Sequence, residues 1–181
     1  MISEVAQRYG QGLYEVALEN GSIKEKKDQV EGLLSVLNTN KEVEELLRAV
    51  KVTKNEKKEF IENVFGDNLD KEVISLIKLL IDKGRIYYLK DVLKEYLVLA
   101  DEELGIVHAT VHSARKLKDD DIERIKEALR IKTKKEVVIE NKVDASLIAG
   151  IKVTLGNNVT DITMKSKIEK MKETLLKGGQ A

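Results

Sequence analysis

The chain changes its structural character within residues 104–114, which read LGIVHATVHSA. Before this stretch, apolar residues recur at the 3.6-residue spacing of a helix face, whereas residues 106–114 are rich in the β-branched residues typical of a strand. Gly105 stands at the change, where a helix end is expected. The sequence therefore predicts an α+β protein with two domains, a helical one over residues 1–104 and a small mixed α/β one over residues 105–181.

The first 104 residues predict six helices with short connections, which is the pattern of a six-helix bundle. Ser3 is the expected N-cap of the first helix, and Thr53 with Glu56 three residues later forms a capping box for the fourth. Glycines are expected to end four of the helices, and these are Gly21, Gly66, Gly84 and Gly105.

The remaining residues predict alternating strands and helices. Helical spacing returns at Ile122, Ile125 and Leu129, and residues 136–143 are typical of a strand. Residues 156–158, GNN, are a hairpin turn signal between two further strands, 151–155 and 159–162. A last helix is expected from about residue 164, with an apolar face of Ile168, Met171 and Leu175.

Composition narrows the class of protein. Of 181 residues, 42% are hydrophobic and 35% charged, and there is no Cys, which predicts a soluble, core-forming protein without disulfides or thiolate metal sites. The first residues do not show the pattern of a signal peptide, and no apolar run approaches the roughly 20 residues that a spanning helix needs, so neither feature is expected. Residues 1–104 carry 16 basic and 21 acidic residues, and residues 105–181 carry 16 and 11, so the two halves differ in charge.

Catalytic, cofactor and metal motifs are absent from the sequence. There is no Walker A loop, dinucleotide fingerprint or HExxH pattern. His108 and His112 are four residues apart, but on a strand their rings would lie roughly 13 Å from each other, too far to share an ion. The acidic run 119–121 suits the start of a helix better than a magnesium site. The sequence thus predicts no enzyme, no cofactor and no metal.

The first and fifth helices are apolar around more of their circumference than one packing face requires. In the first, a stripe of Val5, Tyr9, Gly12, Leu13 and Val16 can pack on the bundle. A second apolar or small surface follows it around the helix and comprises Ala6, Gly10, Tyr14, Ala17 and Leu18. Either both helices lie centrally in the bundle, or their second faces form an external groove for an amphipathic partner helix.

Four blocks of sequence carry a family resemblance. They are residues 6–17 (AQRYGQGLYEVA), 79–86 (LLIDKGRI), 105–114 (GIVHATVHSA) and 143–153 (VDASLIAGIKV), the last followed by Gly156, Val159 and Asp161. The chain resembles, nearly end to end, the delta subunit of F-type ATP synthases, whose mitochondrial equivalent is the oligomycin-sensitivity-conferring protein.

The resemblance implies a non-catalytic peripheral-stalk, or stator, subunit at the cytoplasmic face of the cell membrane, attached there only through the complex. The helical domain would hold an N-terminal helix of the α subunit near helices one and five, and the second domain would contact the C-terminal ends of the b subunits. Combined with the helical wheel, it predicts a groove of Ala6, Gly10, Tyr14, Leu18, Ile74, Ile77 and Ile81. The last helix is a weaker candidate for b binding.

Two other functions remain open at this level. A free-standing helical adaptor would use the same groove for an amphipathic helix of another partner. A nucleic-acid module could use the basic residues of the second half, although no aromatic residue is interleaved with them for base stacking. These basic residues are Arg115, Lys116, Lys118, Lys132, Lys134 and Lys135.

Overall fold

The computed structural model describes residues 3–147, 150–155 and 158–163. The chain divides into two compact units, Met1–Leu104 and Gly105–Ala181. The described helices are α1 (Glu4–Glu19), α2 (Ile23–Thr39), α3 (Lys41–Arg48), α4 (Lys54–Phe65), α5 (Lys71–Asp82), a 3-10 helix (Ile86–Tyr88), α6 (Leu89–Glu103) and α7 (Asp119–Thr133). The described strands are β1 (Ile106–Ser113), β2 (Glu136–Val143), β3 (Gly150–Leu155) and β4 (Asn158–Thr163). The α+β class is therefore confirmed.

Local signals at the helix ends act as expected. The Ser3 hydroxyl accepts a hydrogen bond from the Ala6 N–H at 3.1 Å, and Thr53 and Glu56 form the full capping box of α4. Glycine supplies the left-handed backbone after three helices, at Gly21, Gly84 and Gly105. Gly66 differs, because it follows α4 with helical dihedral angles.

The first unit is organised around α6. Tyr96 of α6 is fully buried and its hydroxyl donates to the Ile23 carbonyl at 3.1 Å, and burial raises the pKa of Tyr96 to about 12. The side of α1 that packs inward carries small residues, and a Cβ added at Gly10 would lie 2.8 Å from the Cβ of Glu95 in α6. Gly10 therefore permits a close approach of the two helices.

The second unit contains a four-stranded sheet in the order β2-β1-β3-β4. Strands β1 and β2 are parallel and joined through α7, whereas β1–β3 and β3–β4 are antiparallel. The predicted strands on both sides of residues 156–157 are thus confirmed. Residues 156–157 themselves and the predicted last helix, including Ile168, Met171 and Leu175, lie outside the described residues.

The core of this sheet is small. Among the described residues its buried members are Ala109, Val111, Val137 and Val153. Helix α7 has no buried residue and covers the sheet with half-buried side chains such as Ile125 and Leu129.

Gly10 and Gly12 give a matched test of the α1–α6 contact. We expect Gly10→Ala to lower the free energy of unfolding by about 1–2 kcal/mol, because the clash with α6 outweighs the gain in helix propensity. Gly12 has no atom within 4 Å of an added Cβ, so Gly12→Ala should raise stability by up to about 1 kcal/mol. Urea unfolding of both variants measures the difference, and equal effects would contradict the close packing of Gly10.

Candidate helix-docking groove

An open groove of about 460 Å³ lies between α1 and α5. Each helix contributes five residues to its walls. They are Arg8, Tyr9, Gly12, Leu13 and Val16 from α1 and Lys71, Glu72, Ser75, Leu76 and Leu79 from α5.

The two helices run antiparallel, and a polar contact joins them at each end. At the end of α1, the side-chain amide of Asn20 donates to Glu72 near the start of α5 at 3.2 Å. Toward the other end, Arg85, three residues beyond α5, donates to the hydroxyl of Tyr9 at 2.9 Å. These contacts set the spacing of the groove walls.

The inside of the groove is apolar and accessible. Leu13 and Leu76 are buried, whereas Val16 and Leu79 expose 38% and 42% of their surface. Between them, Gly12 leaves the backbone of α1 uncovered, since nothing occupies the space of a Cβ. Exposed apolar walls beside bare backbone allow another helix to approach closely.

A buried cation supports the α5 side of the groove. Lys26 of α2 is 2% exposed, and its ammonium lies 3.2 Å from a carboxylate oxygen of Asp70 and 3.6 Å from one of Glu72. Its third partner is the hydroxyl of Ser22 at 2.8 Å. A buried ammonium needs such partners to offset its desolvation, and here they tie α2 to the start of α5.

Asp70 also exchanges hydrogen bonds with Gln29. The Gln29 amide donates to the Asp70 carboxylate at 2.9 Å, and the Asp70 backbone N–H donates to the Gln29 side-chain oxygen at 2.8 Å. The bond from Gln29, aided by Lys26 and opposed by partial burial, lowers the pKa of Asp70 from its ordinary value of 3.8. The ionised carboxylate is therefore the form that holds α5 in place.

The residues predicted for the groove lie elsewhere. Five of them are buried in the core of the first unit: Ala6, Gly10, Ile74, Ile77 and Ile81. Tyr14 is half-buried and its hydroxyl donates to Glu103 of α6 at 3.0 Å. Leu18 is 46% exposed but is not one of the groove residues.

The groove therefore lies between the predicted helices but on the opposite face of α1. The stripe of Tyr9, Gly12, Leu13 and Val16, which the helical wheel assigned to the bundle, lines the groove, and of these residues Leu13 is also buried in the core and Tyr9 packs against it. The physical reason is the small size of Ala6, Gly10 and Ala17, which lets α6 pack closely on that side. Small residues on one of two apolar faces were the signal that could have distinguished them.

No group of three or more His, Asp or Glu residues in the described part of the chain could hold a metal ion. No helix in the same part is long and apolar enough to cross a membrane. His108 and His112 lie on β1, as the sequence predicts.

Comparisons with known proteins agree on one family. A family model described as "ATP synthase delta (OSCP) subunit" matches residues 5–175. The chain is 35% identical over 180 residues to a protein of Clostridium kluyveri named "ATP synthase subunit delta", covering 99% of both chains. Proteins of the same name from Bacillus thuringiensis and Clostridium beijerinckii are 33% identical over 174 residues and 31% over 171 residues, with coverage of 94% or more.

A solved structure shares the fold. A chain in the cryo-EM structure of the Toxoplasma gondii mitochondrial ATP synthase hexamer matches with a TM-score of 0.77 and 14% identity. The match covers 96% of this chain and 98% of that chain.

Replacing Asp70 by Asn tests the cluster that supports α5. Because the pKa of Asp70 is lower in the folded state, the carboxylate adds stability above its unfolded pKa and loses it as pH falls through the folded pKa. We expect Asp70→Asn to cost about 1 kcal/mol at pH 7, since the side chain is partly exposed, and progressively less below about pH 4. Urea unfolding at pH 7, 5 and 3 measures this. Asp67→Asn, on an exposed turn, is the control, and a pH-independent loss in Asp70→Asn would contradict the assignment.

Proposed function

Because the family model covers residues 5–175 and relatives of 31–35% identity cover nearly the whole chain, the chain belongs to the ATP synthase delta (OSCP) subunit family, and from this premise we propose that its α1–α5 groove docks an N-terminal helix of the α subunit. The groove, with its exposed Val16 and Leu79, is the observation that carries this proposal.

The chain is a structural subunit of an ATP synthase and not a catalytic one. As a subunit of the peripheral stalk, it helps to hold the catalytic head against rotation while the central shaft turns. This task requires contacts that dissociate slowly under load. Apolar contacts in a groove meet that requirement better than exposed ion pairs, each of which contributes about 0–1 kcal/mol.

The shape and chemistry of the groove suit an amphipathic helix. Its apolar interior receives one side-chain face, and Gly12 lets the backbone of the incoming helix come close. Four polar residues also line the groove, Arg8 from α1 and Lys71, Glu72 and Ser75 from α5. These polar groups remain hydrated around the contact, as at the rim of most interfaces.

The second unit is proposed to bind the b subunits and so to keep the chain at the membrane. The six helices act as one bundle on the catalytic head, and residues 105–181 contact the C-terminal ends of the b subunits. The chain then stays at the cytoplasmic face of the cell membrane through its partners alone. The second unit is separate and has its own core, which supports a different binding partner for each unit.

Two substitutions on α1 test the docking face. Val16→Asp places a charge inside the groove and should weaken binding of a synthetic α-subunit N-terminal peptide at least about tenfold, because burying an unpaired carboxylate costs more than 1.4 kcal/mol. Leu18→Asp makes the same change two residues away, outside the groove, and should leave the affinity within about twofold of wild type. Isothermal titration calorimetry of both variants shows which face of α1 binds the peptide. If Leu18→Asp weakens binding more than Val16→Asp does, the peptide binds the face that contains Leu18.

Co-purification tests the assembly. We expect the tagged full chain to bring down both α and b from detergent-solubilised membranes. When the tagged Val16→Asp chain is mixed with soluble forms of α and b, it should bring down b but little α. The substitution lies in the first unit and leaves the second unit unchanged. Loss of both partners together would contradict two separate contact regions.

A further inference from the structure

Arg85 occupies a fixed position at one end of the groove. Gly84, with a φ of +66°, ends α5 in the left-handed conformation and turns the chain back. The backbone N–H of Arg85 then donates to the Leu80 carbonyl at 2.7 Å. The start of the Arg85 side chain is thus anchored to the last turn of α5.

The side chain of Arg85 reaches across to α1 and holds Tyr9 in two ways. Its Nη1 donates to the Tyr9 hydroxyl at 2.9 Å, and the guanidinium carbon lies 5.7 Å from the centre of the Tyr9 ring. Arg85 and Tyr9 are both half-buried, so solvent competes only partly with these contacts. A hydrogen bond to the hydroxyl together with a cation–π contact restricts the orientation of the phenol.

The hydroxyl of Tyr9 can still donate a hydrogen bond. It accepts from Arg85, and no residue in the described ranges accepts a hydrogen bond from it in return. A phenol can donate and accept at the same time, and Tyr9 is part of the groove wall. A hydrogen bond from a cationic donor also polarises the O–H bond and makes it a stronger donor.

We propose that Arg85 is a positioning residue for docking, which holds Tyr9 so that its O–H donates to a hydrogen-bond acceptor on the docked helix. This inference rests on the proposed function, because it concerns the same groove. It adds a chemical requirement for the partner: an otherwise apolar helix face must present one carboxylate, amide or carbonyl oxygen where it meets Tyr9.

A double-mutant cycle on the full chain tests the proposal. The probe is a synthetic peptide of the α-subunit N-terminus from the same organism, titrated by calorimetry. Tyr9→Phe keeps the ring and removes the hydroxyl, and we expect it to weaken binding roughly 3- to 10-fold, the range of one hydrogen bond. Arg85→Met should weaken binding by a similar factor, and the double variant should bind no more weakly than the weaker single variant.

Two further variants distinguish the positioning of Tyr9 by Arg85 from a general effect of positive charge and from an effect on the folding of the chain. Lys83→Met removes the same charge from an exposed position two residues away and should bind as wild type does. Arg85→Lys keeps a cationic donor and should recover most of the affinity lost in Arg85→Met. Thermal unfolding of each variant is recorded, so that affinities are compared only where the chain is folded, and Tyr9→Phe with Arg85→Lys keeps the test available if Arg85→Met does not fold.

The outcomes distinguish this inference from the proposed function. Wild-type affinity in Arg85→Met, or a double variant whose loss equals the product of the two single losses, overturns the role of Arg85 while peptide docking stands. A wild-type chain that does not bind the peptide overturns both.

Discussion

The close contact between the small-residue face of α1 and α6 decides which surface the helical unit leaves open. Gly10 allows Glu95 and the backbone of α6 to approach within a distance that any Cβ would block. With that side of α1 covered, the larger residues Tyr9 and Val16 line the open groove. A helix with two apolar faces can bury only the face that its neighbours reach, so the groove is a consequence of how α1 packs.

Polar contacts then hold the two walls of the groove to each other and to α2. Asn20 joins the end of α1 to Glu72, Arg85 just beyond α5 binds Tyr9 of α1, and Lys26 holds the start of α5. Walls that are already held apart lose little conformational freedom when a partner binds. Such preorganisation favours slow dissociation, which a subunit under mechanical load requires.

Most of the fold could be predicted from the sequence because its signals are local. The Ser3 cap, the Thr53–Glu56 capping box and the left-handed glycines depend on neighbouring residues only, and the change to β-branched residues after Gly105 marks the first strand. The pair of helices that forms the groove could also be predicted, since an excess of apolar surface is visible on a helical wheel.

The face of the groove could not be predicted in the same way. Both faces of α1 are apolar, and the choice between them depends on the shape of α6, which lies some 80 residues later in the chain. On α5, Ile74, Ile77 and Ile81 are as hydrophobic as Leu79, yet they are buried and Leu79 is not. Hydrophobicity alone does not record which neighbour covers a side chain. The two glycines of α1 are consequently expected to respond to substitution in different ways. A larger residue at position 10 would act on folding and reduce the amount of protein that a cell retains, whereas a larger residue at position 12 would leave the subunit folded and abundant and change only the surface of the proposed groove.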